Sequence, residues 1–390
     1  MISTLLVIFV LTGLSAQAQD GYGFEDIKRL ETTSVKDQNR SGTCWSFSAI
    51  SFLESELLRM GKPEMDLSEM WVVKRCYYDK AKKTVRLHGH LNFAPGGAFH
   101  DVLYVLENYS LVPEKTFPAL AYGEDNHVHG EMDKVLDSYV DGVIENKNRR
   151  LTTAWEDGLA GILDAYLGQD PQQFSYDGNT YTPESFSDQV LGLDPNDYIG
   201  LASFTHQDYY SSFPILVPDN WLWRESYNLP LDEFMEVMYH AIDKGYTIAW
   251  GADVSEKGFS HRNGVAVVPA KDIKEVSGSE RARWETLTPE EMEKHMYSFD
   301  GPVPEKDITP EIRQEAYDRW QTTDDHGMHI VGTAKDKNGS KYFIVKNSWA
   351  ESNLYDGYFY ASDAFVRYKT MNIMLHKDAV PKTIMKKLNK

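Results

Sequence analysis

The chain is short of cysteine, of basic residues and of long apolar runs. Its 390 residues include two cysteines, Cys44 and Cys76, so at most one disulfide could form and a cross-linked scaffold is excluded. Lys and Arg number 40 against 59 Asp and Glu, a formal charge of −19. Phosphate backbones would repel such a surface, which argues against nucleic acid as a partner. The basic cluster Lys80–Lys83 is short and reads as a solvated face. Beyond the first 18 residues no run of 18 or more apolar residues occurs, so no membrane span is expected. No internal repeat is visible, and no motif calls for a metal or a cofactor.

The first 18 residues differ from the rest. Ile2–Leu14 is an uncharged apolar core, followed by Ser15-Ala16-Gln17-Ala18-Gln19-Asp20. Ala16 and Ala18 fit a small-x-small cleavage pattern, so residues 1–18 are expected to be an export signal cut before Gln19. The mature protein would then be periplasmic or extracellular. The segment before the apolar core has no Lys or Arg, so only the amino terminus is positive there. No cysteine follows for lipid attachment.

What is present is ample core-forming material, 42% hydrophobic and 13% aromatic. Helical spacing dominates early. Phe47, Ile50, Leu53 and Leu57 recur at nearly helical intervals after Cys44, and Gly61 and Pro63 end that run. Ser68 is placed to cap a second helix, which carries Cys76, read as a small buried hydrophobe. A third spans Gly96–Val112. The stretch from 122 to 227 is less regular, with one helix in Glu131–Lys147 and a hairpin signal at Asp177-Gly178. The aromatic run Ser203–Trp223 reads as lid or core packing, or as a glycan- or peptide-binding surface. Another helix, Pro230–Tyr246, ends at Gly245. Then the period changes, and Thr247–Val254, Gly264–Ala270, Met328–Asp336 and Lys341–Trp349 read as strands, the last two joined at Asn338-Gly339. Helices first and strands later indicate an α+β protein with a helical lobe and a sheet lobe. The division expected is 19–121 for the helical lobe, 122–227 for an inserted segment, 228–375 for the sheet-rich lobe and 376–390 for a tail. A cleft between two such lobes is a natural ligand site.

Cys44 follows Gly42-Thr43 at the mouth of the first helix. A thiol in a first helical turn meets free N–H groups and the positive end of the helix dipole, both of which favour thiolate. An imidazole nearby could pair with it, and an acceptor would have to orient that imidazole. His326, at the entrance to one strand, and Asn347, on its partner, are the candidates. A two-residue turn at Asn338-Gly339 would set Asn347 opposite Ile330, four residues from His326, so contact requires a bulge or bend. Gln38, one loop before Cys44, could donate to an oxyanion together with the Cys44 N–H.

Singly these signals are weak. In order they are specific: Gln38-x5-Cys44-Trp45-x-Phe47-Ser48, then His326-Gly327-Met328, then Asn347-Ser348-Trp349. The set resembles the papain-type cysteine peptidases, more narrowly their bleomycin hydrolase and aminopeptidase C branch. The likeness extends loosely through most of the chain and is poorest in the middle. It implies a papain-like two-lobe fold with inserted helical segments. It implies Cys44 as nucleophile, His326 as its proton partner, Asn347 as orienter, Trp349 as a shield over that hydrogen bond, and Gln38 as oxyanion donor. Gly96 and Gly97 match glycines that let a substrate backbone pair with the cleft wall. His326 lies 282 residues after Cys44, a span that fits the branch's inserts, and the branch implies peptide substrates and a homo-hexamer.

Three departures stand against the pattern. Ala350 follows Asn-Ser-Trp where the family has glycine. The basic surface that DNA-binding members use is missing. The tail after His376–Lys382 is short and basic, whereas in the branch the tail enters the cleft and its carboxylate holds the substrate's free amine. Asp324 or Asp325, beside His326, could bind that amine instead. Aminopeptidase action leads. An endopeptidase, a small-amide hydrolase and a catalytically silent binding protein of the same fold stay open.

Overall fold

In a computed structural model the chain is described over residues 21–148, 150–270 and 288–388. The expected export signal, and part of the extra sequence between 277 and 321, lie outside the described residues.

Five helices build the first lobe: α1 (Cys44–Arg59), α2 (Glu69–Arg86), α3 (Phe99–Tyr109), α4 (Gly130–Ile144) and α5 (Ala154–Leu167). Helix α1 is buried almost all round from Trp45 to Leu57, as a central helix must be. Ser68 caps α2 by accepting from the Trp71 N–H at 3.1 Å, and Cys76 is fully buried within it. Helices α4 and α5 lay Met132, Leu136, Leu159 and Leu163 into the same core as α1 and α2. The first part of the expected insert therefore completes the helical lobe.

The strands in chain order are β1 (Glu25–Arg29), a separate hairpin of β2 (Phe174–Tyr176) and β3 (Asn179–Tyr181), then β4 (Tyr198–Ala202), β5 (Ser212–Pro214), β6 (Glu225–Asn228), β7 (Ile248–Ala252), β8 (Phe259–Ser260), β9 (Val265–Ala266), β10 (His326–Lys335), β11 (Lys341–Lys346), β12 (Tyr358–Ser362) and β13 (Thr370–His376). Except for the hairpin they form one mixed sheet in the order β5-β6-β4-β13-β7-β10-β11-β12-β9-β8, with β1 also on β10. The second part of the expected insert thus supplies β4, β5 and β6 to the sheet. The hairpin turns at Asp177 and Gly178, both with positive φ, as the Asp-Gly pair predicts.

A second core lies under the sheet, with Trp250, Ile330, Phe343 and Phe359 packed against the helix Leu231–Lys244. That helix ends at Gly245 with φ +90°, the left-handed cap glycine favours. The tail forms the helix Lys382–Leu388. It buries Ile384 and Leu388 in this core, and Lys387 pairs with Glu233 at 2.6 Å. Among the described residues no helix is long and apolar enough to cross a membrane.

Candidate active site

Gly42 has φ +67°, a conformation open to glycine without strain, and the Thr43 behind it is fully buried. The chain therefore enters α1 abruptly, and Cys44 is its first residue. Strand β10 runs against this first turn. A Cβ on Gly327 would lie 2.8 Å from Ser48 Oγ and 3.1 Å from Trp45 Cα, so only glycine allows strand and helix to approach this closely. The N–H groups of Gly327 and Trp45 both reach the Cys44 sulfur.

His326, the residue before Gly327, is buried and opens β10. Its Nε2 meets Asn347 Oδ1 at 2.8 Å. The ladder of β10 and β11 closes at Lys335 and Lys341, so the connection is longer than the two residues expected. Asp336 organises it by accepting from the Asn338 and Ser340 N–H groups at 2.8 and 2.9 Å. A bulge between Ile330 and Gly332 then shifts the register, so that His329 pairs with Lys346. Extending that register sets Asn347 opposite Met328 in place of Ile330, and the chain bends to close the remaining gap. Trp349 stacks on His326 with ring centroids 4.6 Å apart and 27° between planes. Gln38 is held by Ser348 twice: its backbone N–H donates to Ser348 O at 2.9 Å, and its Oε1 accepts from Ser348 Oγ at 2.6 Å.

These parts share one cleft of about 550 Å³ between the lobes. Gln38, Cys44, Gly96, Gly97, Asp325, His326 and Trp349 line it, and Asn347 stands behind His326. The wall at 94–97 is fixed from behind. Trp45 Nε1 donates to Pro95 O at 3.0 Å, and the buried Lys80 ammonium donates to Ala94 O at 2.9 Å and to Gly96 O.

Two family models match the two halves of this site. One, described as papain family cysteine protease, covers residues 24–155 and includes Cys44. The other, described as the peptidase C1-like family, covers 306–390 and includes His326 and Asn347. Both halves of the site thus match models of papain-type cysteine peptidases, and over most of its length the chain is similar to their aminopeptidase C branch. It is 22% identical over 393 residues to Aminopeptidase C of Streptococcus thermophilus, covering 90% of this chain and 81% of that one. It is 23% identical over 409 residues to Aminopeptidase C of Listeria monocytogenes, covering 92% and 83%. Among solved structures, PepW from Lactobacillus rhamnosis HN001 superposes with a TM-score of 0.71 at 18% identity, over 94% of this chain and 84% of that one, which shows the shared fold.

The electrostatics of this papain-type site differ from the simple expectation of a lowered thiol. Burial pushes the Cys44 thiol up to about 12, and the charges of Asp324 and Asp219 add to the rise against the two N–H groups. Burial pushes His326 down to about 4, with the Asn347 hydrogen bond opposing. Each charge formed alone is costly in the closed cleft. Opposite charges formed together in the one cleft would offset each other.

Three features escaped the sequence reading. Ser348 lies inside the quoted Asn-Ser-Trp motif, yet its hold on Gln38 gives no sequence signal. His261 stands behind Asn347, with Asn347 Nδ2 3.5 Å from its Nδ1 and Ser352 Oγ 3.0 Å from its Nε2; this imidazole carries no motif. The aromatic stretch ending at Trp223 supplies Asp219 to the cleft. Asp325 lines the cleft as well, but one of its oxygens accepts from the Val254 N–H at 3.1 Å. Ala350 takes φ +56°, so the position where the family has glycine keeps the left-handed turn, at a strain of roughly 1 kcal/mol. Its N–H donates to Lys36 O at 3.1 Å.

Proposed function

We propose that this cysteine peptidase is an exported aminopeptidase acting through a Cys44 thioester. The observation that carries the reading is the 2.8 Å bond from His326 to Asn347 under the Trp349 ring, in the same cleft as a cysteine at a helix start. With Nε2–H committed to Asn347, His326 has Nδ1 left for the thiol proton. The sulfur attacks the scissile carbonyl carbon while that proton passes to the ring. The oxyanion accepts from the Cys44 N–H and from Gln38 Nε2, which Ser348 leaves free by occupying Oε1. His326 then protonates the leaving amine and the C–N bond breaks, giving the thioester. Water, losing a proton to His326, attacks the thioester carbon, and the thiol is restored as the carboxylic acid leaves.

Removal of an N-terminal residue is supported by the relatives named Aminopeptidase C. Export rests on residues 1–18, with cleavage before Gln19 and a periplasmic or extracellular destination. N-terminal sequencing of the secreted protein would decide it. A homo-hexamer belongs to the same reading and rests on the resemblance alone.

The central test is a panel of fluorogenic amides with free or acetylated amines, run on the wild type and on Cys44→Ala. The free-amine amides should turn over at least about tenfold faster than the acetylated ones. Cys44→Ala should lose at least about a thousandfold in kcat. Equal cleavage of both amide classes would rule out the aminopeptidase, and full activity in Cys44→Ala would rule out the thioester.

A further inference from the structure

The segment between β5 and β6 does more than connect two strands. Its ends belong to the sheet lobe, through Ser212–Pro214 and Glu225–Asn228. Its middle belongs to the other lobe. Trp221 is 1% exposed within the helical core, its Nε1 donates to Asp101 Oδ2 at 2.7 Å, and its carbonyl accepts from Lys83 Nζ at 2.7 Å. The buried Asn220 side chain staples the turn, donating to Ile215 O and Arg224 O at 3.1 and 3.0 Å. The segment is therefore a strap, pinned at both sides of the cleft, and Ile215, Val217 and Asp219 on it face the cleft.

The strap crosses at Gly96. A Cβ there would overlap the Asp219 carboxylate, so that carboxylate lies over the wall along which a substrate backbone would run. A peptide lying on Gly97 with its carbonyl at Cys44 would meet the Asp219 carboxylate at Gly96 as a stop.

The group at the stop is an acid. Asp219 accepts a hydrogen bond from Asn92 Nδ2 at 3.2 Å. Asp324, from the sheet lobe, lines the same cleft half-buried and accepts no hydrogen bond from a described residue. Among the described residues that line or back the cleft here, Lys80 holds the carbonyls behind the wall, and Arg224 turns to Glu107 at 3.3 Å. The tail helix Lys382–Leu388 docks on the sheet-lobe core and does not line the cleft. Burial raises both carboxyls, Asp324 to about 7. The charges of Asp219, Asp325 and Asp101 add to that rise, while the Lys80 charge opposes it at Asp219. An ammonium between the two acids would relieve that repulsion. An α-amino group, with a pKa near ~8, is such a cation at neutral pH.

We propose that Asp219 on the strap, with Asp324 across the cleft, holds the free α-ammonium of the substrate's N-terminal residue and so sets where the peptide is cut. This rests on the aminopeptidase reading above and names the residues responsible for it.

The test uses the full-length enzyme, leucyl-aminomethylcoumarin and its N-acetyl form, with Asp219→Asn and Asp324→Asn. Each variant should lose about tenfold to a hundredfold in kcat/KM on the free-amine amide, carried mainly by KM, as expected for one charge-assisted hydrogen bond. The slower acetyl amide carries any change at Cys44 itself, so the readout is the ratio of kcat/KM on the free-amine amide to that on the acetyl amide, which should fall about tenfold to a hundredfold. A wild type that prefers the free amine while both variants keep that preference within twofold overturns this proposal and leaves the aminopeptidase standing. A wild type indifferent to acetylation sinks the aminopeptidase itself. Far-UV circular dichroism and the denaturant midpoint report folding in each variant. If Asp219→Asn does not fold, Asp324→Asn, in the other lobe, decides the matter by the same criterion.

Discussion

In the proposed mechanism Gln38 has one amide to divide between the protein and a substrate. Ser348 Oγ donates to its Oε1 at 2.6 Å and Ser348 O accepts from its backbone N–H at 2.9 Å. Both bonds are short and buried, so the amide is held with its NH2 group free. Removing the hydroxyl lets the amide rotate, and one orientation then presents its oxygen to the oxyanion. Ser348→Ala should lower kcat about five- to tenfold, the worth of about one neutral hydrogen bond, with KM within about twofold because the donor acts in the transition state. Cys44 alkylation should not change, since no bond to the sulfur is touched. An unaltered kcat would show that Gln38 needs no such support, or takes no part.

Between elements, the decisive contact is α1 against β10 at Gly327. A methyl group there meets Ser48 Oγ at 2.8 Å and Trp45 Cα at 3.1 Å, and that Cα is backbone in the turn that carries Cys44. Gly327→Ala must push helix and strand apart by several tenths of an ångström. The expected cost is about 1–3 kcal/mol of stability and a loss of activity of at least tenfold, since the displacement falls between Cys44 and His326. Denaturant unfolding and kcat together check it; normal values for both would mean the contact is loose. Elements of this kind show how far the chain could be read without coordinates. The start of α1, the Ser68 cap, the Gly245 stop and the Asp177-Gly178 turn are local, so residues a few positions apart encode them. Helix α5 went unread although Leu159, Leu163 and Leu167 repeat at helical spacing, because Gly158 and Gly161 interrupt the pattern. The candidate site residues were legible as an ordered set of motifs. The bulge that brings Asn347 to His326 was foreseen as a need but not located, and the strap was missed. Both depend on partners far away in sequence.

At the scale of the whole molecule, the buried acids outweigh the buried imidazoles. Burial raises Asp101, Glu114, Asp133, Glu305 and Asp324 each to about 7. Burial lowers His129 and His326 to about 4 and His100 to about 3. A carboxyl raised in the fold binds more protons there than in the unfolded chain between its ordinary pKa and about 7, so its contribution to stability grows as pH falls through 7. An imidazole lowered in the fold binds fewer protons than in the unfolded chain below about 6.5, so its contribution shrinks as pH falls through that value. Between about pH 8 and pH 5.5 each raised carboxyl therefore adds on the order of 2 kcal/mol and each lowered imidazole removes about 1. The half-buried acids add less, because solvent screens them. Self-repulsion from the net charge of −19 also weakens as acids take up protons. The melting temperature at about pH 5.5 should thus equal or exceed that at pH 8. Differential scanning calorimetry at constant ionic strength reads this directly. A melting temperature that climbs steadily from pH 5.5 to 8 would mean that the imidazoles, and not the carboxyls, govern the proton balance of folding.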